Sequence, residues 1–309
     1  MNDIRRTILA TLDDGPVVGP ELADELALSR AAVWKHVEAL REAGFEIESG
    51  PDGYRLRSIP EYGGPALEYG QDSFEVEFHD ELPSTNDRAR ELAAEDAEDV
   101  VVVADRQTGG RGRLDRGWAS PAGGAWLSLV LRPDLPPAEV PLLTLGAAVA
   151  ATWAVRKTGV DAGIKWPNDI LVRSDGERKL AGILTEMEGE ANRVSWVVVG
   201  VGLNANVDPG ELPEGATSIR EQVGDVERRL LVQQFLEAFD DLRSKPDVIL
   251  DAWTDLALTP GRRVRVETSR GPVTGEALRV ERPGTLVIDT DDGERRVHAG
   301  DCEHLRPVE

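Results

Sequence analysis

Two arginines interleaved with three glycines, in Gly109-Gly110-Arg111-Gly112-Arg113, are the residues of this sequence best suited to gripping an anion. Guanidinium forks match carboxylate and phosphate oxygens two at a time, and glycine lets backbone N–H groups approach closely. The whole stretch runs from Asp105-Arg106-Gln107-Thr108 to Leu114-Asp115-Arg116-Gly117-Trp118. Apolar runs flank it at 100–104 and 119–131, so it reads as a loop between two strands, where a ligand cap would sit. A solvated glycine-arginine turn is the alternative, because one Gly-rich loop alone is weak evidence.

Further cations and amides follow. Ile164-Lys165-Trp166-Pro167-Asn168-Asp169-Ile170 sets a lysine, an asparagine and an aspartate in a tight turn between apolar residues, and the proline keeps Trp166 extended. Lys179 opens the apolar stretch Lys179-Leu180-Ala181-Gly182-Ile183-Leu184-Thr185-Glu186. Residues 194–207, containing Gly200-Val201-Gly202-Leu203-Asn204, return as the second strand of a hairpin around Gly189. A lysine entering a strand is ordinarily an edge residue with its head in water. Two lysines, two arginines and several asparagines gathered at one sheet end would instead make an anion site. Ser84-Thr85-Asn86-Asp87 lies between the strand-like Glu75-Val76-Glu77-Phe78-His79 and a helix bearing Ala89, Leu92 and Ala93. Such side chains cap a helix, or cap it and also face a polar ligand. There is no Ser-His-Asp arrangement, zinc spacing or Walker loop; His36, His79, His298 and His304 lack ligand-like spacing, and the lone Cys302 excludes an internal disulfide.

The elements that must position these residues fall into segments. Within residues 1–57, Ile4, Ile8, Leu9 and Leu12 mark one helix face, ended by Asp13-Asp14-Gly15-Pro16. Gly19-Pro20 starts a second helix. Ser29 can cap a third, whose buried stripe is Val33, Val37 and Leu40 and whose end is Gly44. A hairpin around Gly50-Pro51-Asp52-Gly53 completes a winged helix-turn-helix. Its third helix carries Arg30, Trp34, Lys35 and Arg41 off the buried stripe, suited to a DNA major groove; binding a protein is the alternative for such a domain. Residues 58–73, with Pro60, Gly63-Gly64-Pro65 and Gly70, read as a linker, and 74–258 as a mixed α/β domain with an alanine-rich helix at 142–155 and an amphipathic helix at 230–242. Residues 259–309 read as a small β-barrel with strands at 263–266, 273–280, 286–288 and 296–298, marginal alone and so docked on the central domain. The fold class is therefore α+β. A formal charge of −22 over 309 residues argues against nucleic acid and acidic membranes as partners, while 40% hydrophobic residues supply real cores. With no signal-peptide pattern and no apolar run of roughly 18 residues, the expected location is the cytoplasm, with no membrane partner.

Five pieces, in this order, resemble the bifunctional biotin protein ligases, biotin–[acetyl-CoA-carboxylase] ligases with an N-terminal repressor domain. They are Ser84-Thr85-Asn86, the Gln107–Arg113 loop with Trp118, Lys165-Trp166-Pro167-Asn168-Asp169, Lys179-Leu180-Ala181-Gly182 and Gly200-Val201-Gly202-Leu203-Asn204. The resemblance covers nearly the whole chain, with a class II synthetase-related ligase domain and a C-terminal SH3-like barrel. It implies that biotin and ATP form biotinyl-5′-AMP, from which a lysine of a biotin carboxyl carrier protein displaces AMP. Both nucleophiles then come from substrates, in line with the missing catalytic Ser or Cys. The resemblance places Ser84, Thr85, Asn86 and Gln107 on biotin, and Arg111, Gly112 and Arg113 over biotin and the adenylate phosphate. It sets Lys179 between carboxylate and phosphate, Trp118 on adenine, and Asn168 and Asn204 at the nucleotide. Lys165 and Asp169 would serve pyrophosphate and Mg²⁺, which arrives with ATP rather than at a site of protein ligands alone. The helix Ser29-Arg30-Ala31-Ala32-Val33-Trp34-Lys35-His36 resembles the family's recognition helix and implies operator DNA read by a homodimer; Trp34 departs from the smaller polar residue expected there. A lipoate-type ligase and a non-catalytic biotin-sensing repressor are the alternatives.

Overall fold

The computed structural model describes residues 1–113, 116–173, 176–190 and 192–305. Leu114 and Asp115 of the glycine-arginine stretch lie outside the described residues, as do the last four positions of the expected barrel. The chain divides into two compact units, Met1–Asp72 and Ser73–Glu309.

In the first unit, α1 (Asp3–Asp13), α2 (Gly19–Glu25) and α3 (Arg30–Glu42) precede an antiparallel pair, β1 (Glu46–Gly50) and β2 (Gly53–Ser58). The Asn2 carboxamide accepts the Arg5 N–H and the Ser29 hydroxyl accepts the Ala32 N–H, so both long helices begin with a side-chain cap. Ile8, Leu9, Leu12, Leu22, Val33, Val37, Leu40 and Phe45 form one core, the stripes expected from helical spacing. The 58–73 stretch corrects the expectation of a linker. It holds α4 (Gly64–Glu68), whose Ala66 and Leu67 are buried, and Ile59 and Tyr69 pack on the core. Pro65 here opens a helix, which proline's fixed φ favours, rather than loosening the chain.

The second unit is built on a seven-stranded mixed sheet: β3 (Glu75–Leu82), β4 (Val100–Gln107), β5 (Ala125–Leu131), β6 (Ala162–Lys165), β7 (Asp169–Val172), β8 (Arg178–Glu190) and β9 (Arg193–Leu203). Their order is β3-β4-β5-β9-β8-β7-β6. Among the described strands of this sheet, β3 and β4 are the one parallel pair, joined through α5 (Thr85–Ala94). The sheet packs on α6 (Pro141–Lys157), an alanine-rich helix buried almost all round because α8 (Arg228–Ser244) and α9 (Ile249–Leu256) cover its far side. The short α7 (Ile219–Val223) precedes them. Residues 137–157 are long and apolar enough to cross a membrane by length and composition, beyond what the sequence expectation credited, but 72% of that window is buried as a core helix.

The chain ends in β10 (Arg263–Thr268), β11 (Gly271–Glu281), β12 (Thr285–Thr290), β13 (Gly293–Val297) and β14 (Asp301–His304), one antiparallel sheet ordered β13-β12-β11-β10-β14. β14 adds a strand to the four expected; it has four residues, too few for alternation to register. This small sheet docks on the large one as expected. The buried Trp166 indole N–H donates to the Gly284 carbonyl at 2.8 Å, and the Arg113 guanidinium donates to the Gly300 carbonyl at 2.9 Å.

Candidate active site

Ser84 ends the turn out of β3 and caps α5, its hydroxyl accepting the Asp87 N–H at 3.3 Å. The next two side chains, Thr85 and Asn86, are buried. Gln107, the last residue of β4, accepts the Thr85 N–H at 2.7 Å and the Thr85 hydroxyl at 3.0 Å through Oε1, and donates from Nε2 to Ser120 Oγ at 2.9 Å. The Ser128 hydroxyl of β5 reaches Thr85 Oγ1 at 2.8 Å and Asn86 Oδ1 at 2.6 Å. Asn86 Nδ2 donates to Glu186 Oε2 of β8 at 2.8 Å. Buried polar groups linked this way hold one another's orientation and avoid the cost of an unmade hydrogen bond. Asn86 can lie this close to the sheet only because position 200 is glycine: a Cβ there would stand 2.0 Å from Asn86 Oδ1.

The glycine-arginine stretch leaves β4 and returns toward β5 as an arch, tied by Trp118 N–H to Gly110 O (2.9 Å) and Gly112 N–H to Arg116 O (2.7 Å). Arg111 pairs with Asp87, and Glu186 lies 3.9 Å away. Arg113 donates to Asn168 Oδ1 and to the Gly300 carbonyl, each at 2.9 Å. Burial draws its guanidinium below the usual range, against the pull of Asp169 and Asp301, yet arginine has ample margin to stay cationic. Arg116 pairs with Asp301 at 2.6 Å. Lys179 Nζ is 2.7 Å from Asp169 Oδ1, while Lys165 Nζ stands 3.6 Å from Asp169 Oδ2. The Lys179 ammonium also lies 4.9 Å from the centre of the Trp118 ring. That ring rests on Gly182 and Gly202, opposite each other across β8 and β9; a Cβ on Gly202 would come within 2.7 Å of Trp118 Nε1.

One cavity of about 450 Å³ joins the two sets, within the size range of small-molecule sites. Of the residues expected around biotin and nucleotide, all line it except Lys165 and Asn204. Lys165 stands behind Asp169, on an open groove beside the cavity. Asn204 is buried below the strand ends, donating to the Thr217 carbonyl at 2.8 Å; its Oδ1 has no hydrogen-bond partner among the described residues. Sequence reasoning missed Ser128 and Glu186. A lone hydroxyl inside the otherwise apolar Ala125–Leu131 is a signal that could have found the first. Asp301 and Gly300 carry no such signal, since only the docked C-terminal sheet brings them to the cavity.

In the first unit, Arg30 and Trp34 border a groove with Ser49, Gly50 and Tyr54, and Trp34 is 54% exposed. Lys35 is exposed on the same helix. Arg41 departs from this group. It donates to the Ile47 carbonyl at 2.8 and 2.6 Å and to Ser49 Oγ at 2.8 Å, and pairs with Glu38, so it braces α3 against the wing.

A mixed sheet bearing such a cavity, preceded by a helix-turn-helix unit and followed by a small β-sheet, has the architecture of a protein ligase with a DNA-binding module. Residues 79–204 match the biotin/lipoate A/B protein ligase family, residues 4–55 an HTH domain and residues 259–305 the biotin protein ligase C terminal domain. The chain is 38% identical to the bifunctional ligase/repressor BirA of Bacillus subtilis over 93% of both chains, and 34% identical to the biotin–[acetyl-CoA-carboxylase] ligase of Mycobacterium tuberculosis over 71% of this chain and 84% of that one. Among solved structures, the biotin protein ligase of Aquifex aeolicus in complex with biotin and ATP superposes with a TM-score of 0.62 at 27% identity, covering 74% of this chain and 99% of that one. The chain belongs to the biotin protein ligase family, in its bifunctional ligase/repressor form.

Proposed function

We propose that this ligase forms biotinyl-5′-AMP from biotin and ATP and transfers the biotinyl group to a lysine of a biotin carboxyl carrier protein, in the cytoplasm. The observation that carries this reading is the division of the cavity: uncharged donors and acceptors at one end, and Arg113, Lys179 and Asp169 at the other, with Lys165 behind Asp169. A neutral ureido ring needs the first set, and a carboxylate meeting a phosphate needs the second. The biotin carboxylate attacks the α-phosphorus and pyrophosphate leaves; the acceptor amine then attacks the acyl carbon and AMP leaves. Arg111 and Arg113 hold the two anions together, and Lys179 turns from Asp169 toward the oxygens between them, so the work is positioning and charge stabilisation. Trp118 offers its ring to adenine.

Mg²⁺ arriving with the nucleotide would supply charge neutralisation on the phosphates. Among the described residues no group of three or more His, Cys, Asp or Glu could hold an ion. Asp169, already between two lysines, is one carboxylate, which fits an ion held mainly by phosphate oxygens and water. Pyrophosphate exchange into ATP tests the reading. It should run with biotin and not with lipoate; exchange with lipoate alone would reassign the substrate.

Met1–Asp72 serves as the repressor module, with Arg30, Trp34 and Lys35 toward operator DNA in a homodimer. An acidic protein gains little from neutralising phosphates, so recognition leans on base edges and salt weakens it less steeply than for a basic repressor. Gel shifts with upstream DNA across salt concentrations, with and without biotin and ATP, test it. Ligation without any shift would make the module a protein-binding or structural one.

A further inference from the structure

His304, at the end of β14, does not line the cavity, and its side chain is only 7% exposed. Its Nδ1 lies 3.0 Å from Glu177 Oε2 and its Nε2 lies 3.0 Å from Thr259 Oγ1. The fully buried Thr259 oxygen also accepts the Trp166 backbone N–H at 2.9 Å. An ionised carboxylate can only accept, so Nδ1 carries the proton and donates to Glu177. Nε2 then accepts the Thr259 hydroxyl, and the Thr259 oxygen accepts Trp166. Donors thus run in one direction through four residues. Burial holds the imidazole below its usual range, with Glu177 opposing and Arg262 and Lys165 reinforcing, which keeps the neutral ring that this tautomer requires.

The two ends of that relay bracket the charged end of the cavity. Trp166 opens the turn into Asp169, and Glu177 stands two residues before Lys179. Glu177 has φ +58°, a left-handed backbone uncommon for a residue with a side chain, and is held there by His304 and by Arg262 at 2.6 Å. The β7–β8 ladder between Asp169 and Lys179 has a register shift between Ile170 and Leu171, and the Lys179 backbone bonds Gly215 and Thr217 rather than β7, so strand pairing does not by itself set Lys179 against Asp169.

We propose that His304, through Thr259 and Glu177, is a positioning residue of the ligase: it sets Asp169 and Lys179 against each other and so aims Lys179 at the reacting anions. The proposal rests on the ligase reading above, so two measurements on the full chain are needed. One is pyrophosphate exchange; the other, independent of activity, is the rate at which an amine-reactive ester modifies Lys179, mapped by mass spectrometry. His304→Ala should lower kcat of exchange roughly 10- to 100-fold, the scale of a small misplacement, with KM for biotin within about twofold. Lys179 modification should rise several-fold as its carboxylate partner drifts. Thr259→Val should act like His304→Ala, and Thr259→Ser should restore wild-type behaviour. In a Lys179→Ala background, His304→Ala should add nothing, whereas a purely structural role would cost as much there as in the wild type. Wild-type kcat and Lys179 modification in folded His304→Ala and Thr259→Val variants would overturn the proposal. Should the wild type fail to exchange with biotin, the ligase reading falls, while a Lys179 modification rate unmoved by these variants overturns the positioning on its own.

Discussion

Thr85, Asn86, Gln107 and Ser128 meet within 43 positions of chain, on one strand-helix-strand unit and the strand beside it, whereas Arg113 reaches the Gly300 carbonyl across 187. The first group satisfies its hydrogen bonds locally, and its partners are neutral apart from Glu186. The second draws on the arch, the β6–β7 turn, the start of β8 and the C-terminal sheet, and its lysine is already neutralised by Asp169. A ligand entering the neutral end finds a preformed surface; anions entering the other end must compete with carboxylates of the chain itself. Changes at the neutral end should therefore alter biotin binding, and changes at the charged end should alter the rate of adenylation.

Lys179→Ala gives the widest separation of these two effects. Adenylation should slow by roughly 10²–10³, the scale for losing a preorganised charge donor, with biotin affinity within a few fold. Exchange kinetics and calorimetric binding read the two quantities separately; near-normal adenylation would take Lys179 out of the chemistry. Gly200→Val reverses the pattern. Its side chain must displace Asn86, and overpacking of about 1–3 kcal/mol corresponds to roughly 5- to 150-fold weaker biotin binding, with adenylation at saturating biotin much less affected.

Ser128→Ala should be milder. It removes one hydroxyl shared by Thr85 and Asn86, worth about 0.5–1.5 kcal/mol, and so should weaken biotin binding by roughly 2- to 13-fold. A larger loss in kcat than in affinity would erase the contrast between the two ends.

The smallest effect concerns how α5 is pinned. Arg88 of α5 bonds Glu77 of β3 and, with help from His79, holds that carboxyl below its ordinary pKa. A depressed folded-state pKa means stability that is present above the usual glutamate value of about 4.3 and lost as pH falls through the folded value. Glu77→Gln should remove less than about 1 kcal/mol of that dependence, read from urea midpoints between neutral and acid pH. An unchanged acid limb would show that the pair does not tie α5 down.

Helix stripes, the Ser29 cap and the Ser84 cap were legible because they depend on spacings of three and four residues. The glycine-arginine loop was legible because unusual residue types stand together between two apolar runs. The 58–73 segment was misread because proline and glycine mark helix ends as well as loose chain, and only burial of Ala66 and Leu67 tells the two apart. Ser128 was missed because its partners lie on other elements, 42 and 43 positions away.

The sequence by itself determined the inventory: which cations, amides and hydroxyls stand at the ends of which strands, since those follow from local periodicity and turn chemistry. Tertiary structure alone decided their pairing. Lys179 rests on Asp169 because a bulged hairpin brings the two together, Arg113 meets Gly300 because the terminal sheet docks on Trp166, and His304 reaches Thr259 only after β14 pairs with β10. The physical reason is distance along the chain. Hydrogen bonds and ion pairs depend on separations of a few ångströms, and between segments a hundred residues apart those separations are set by how whole elements pack.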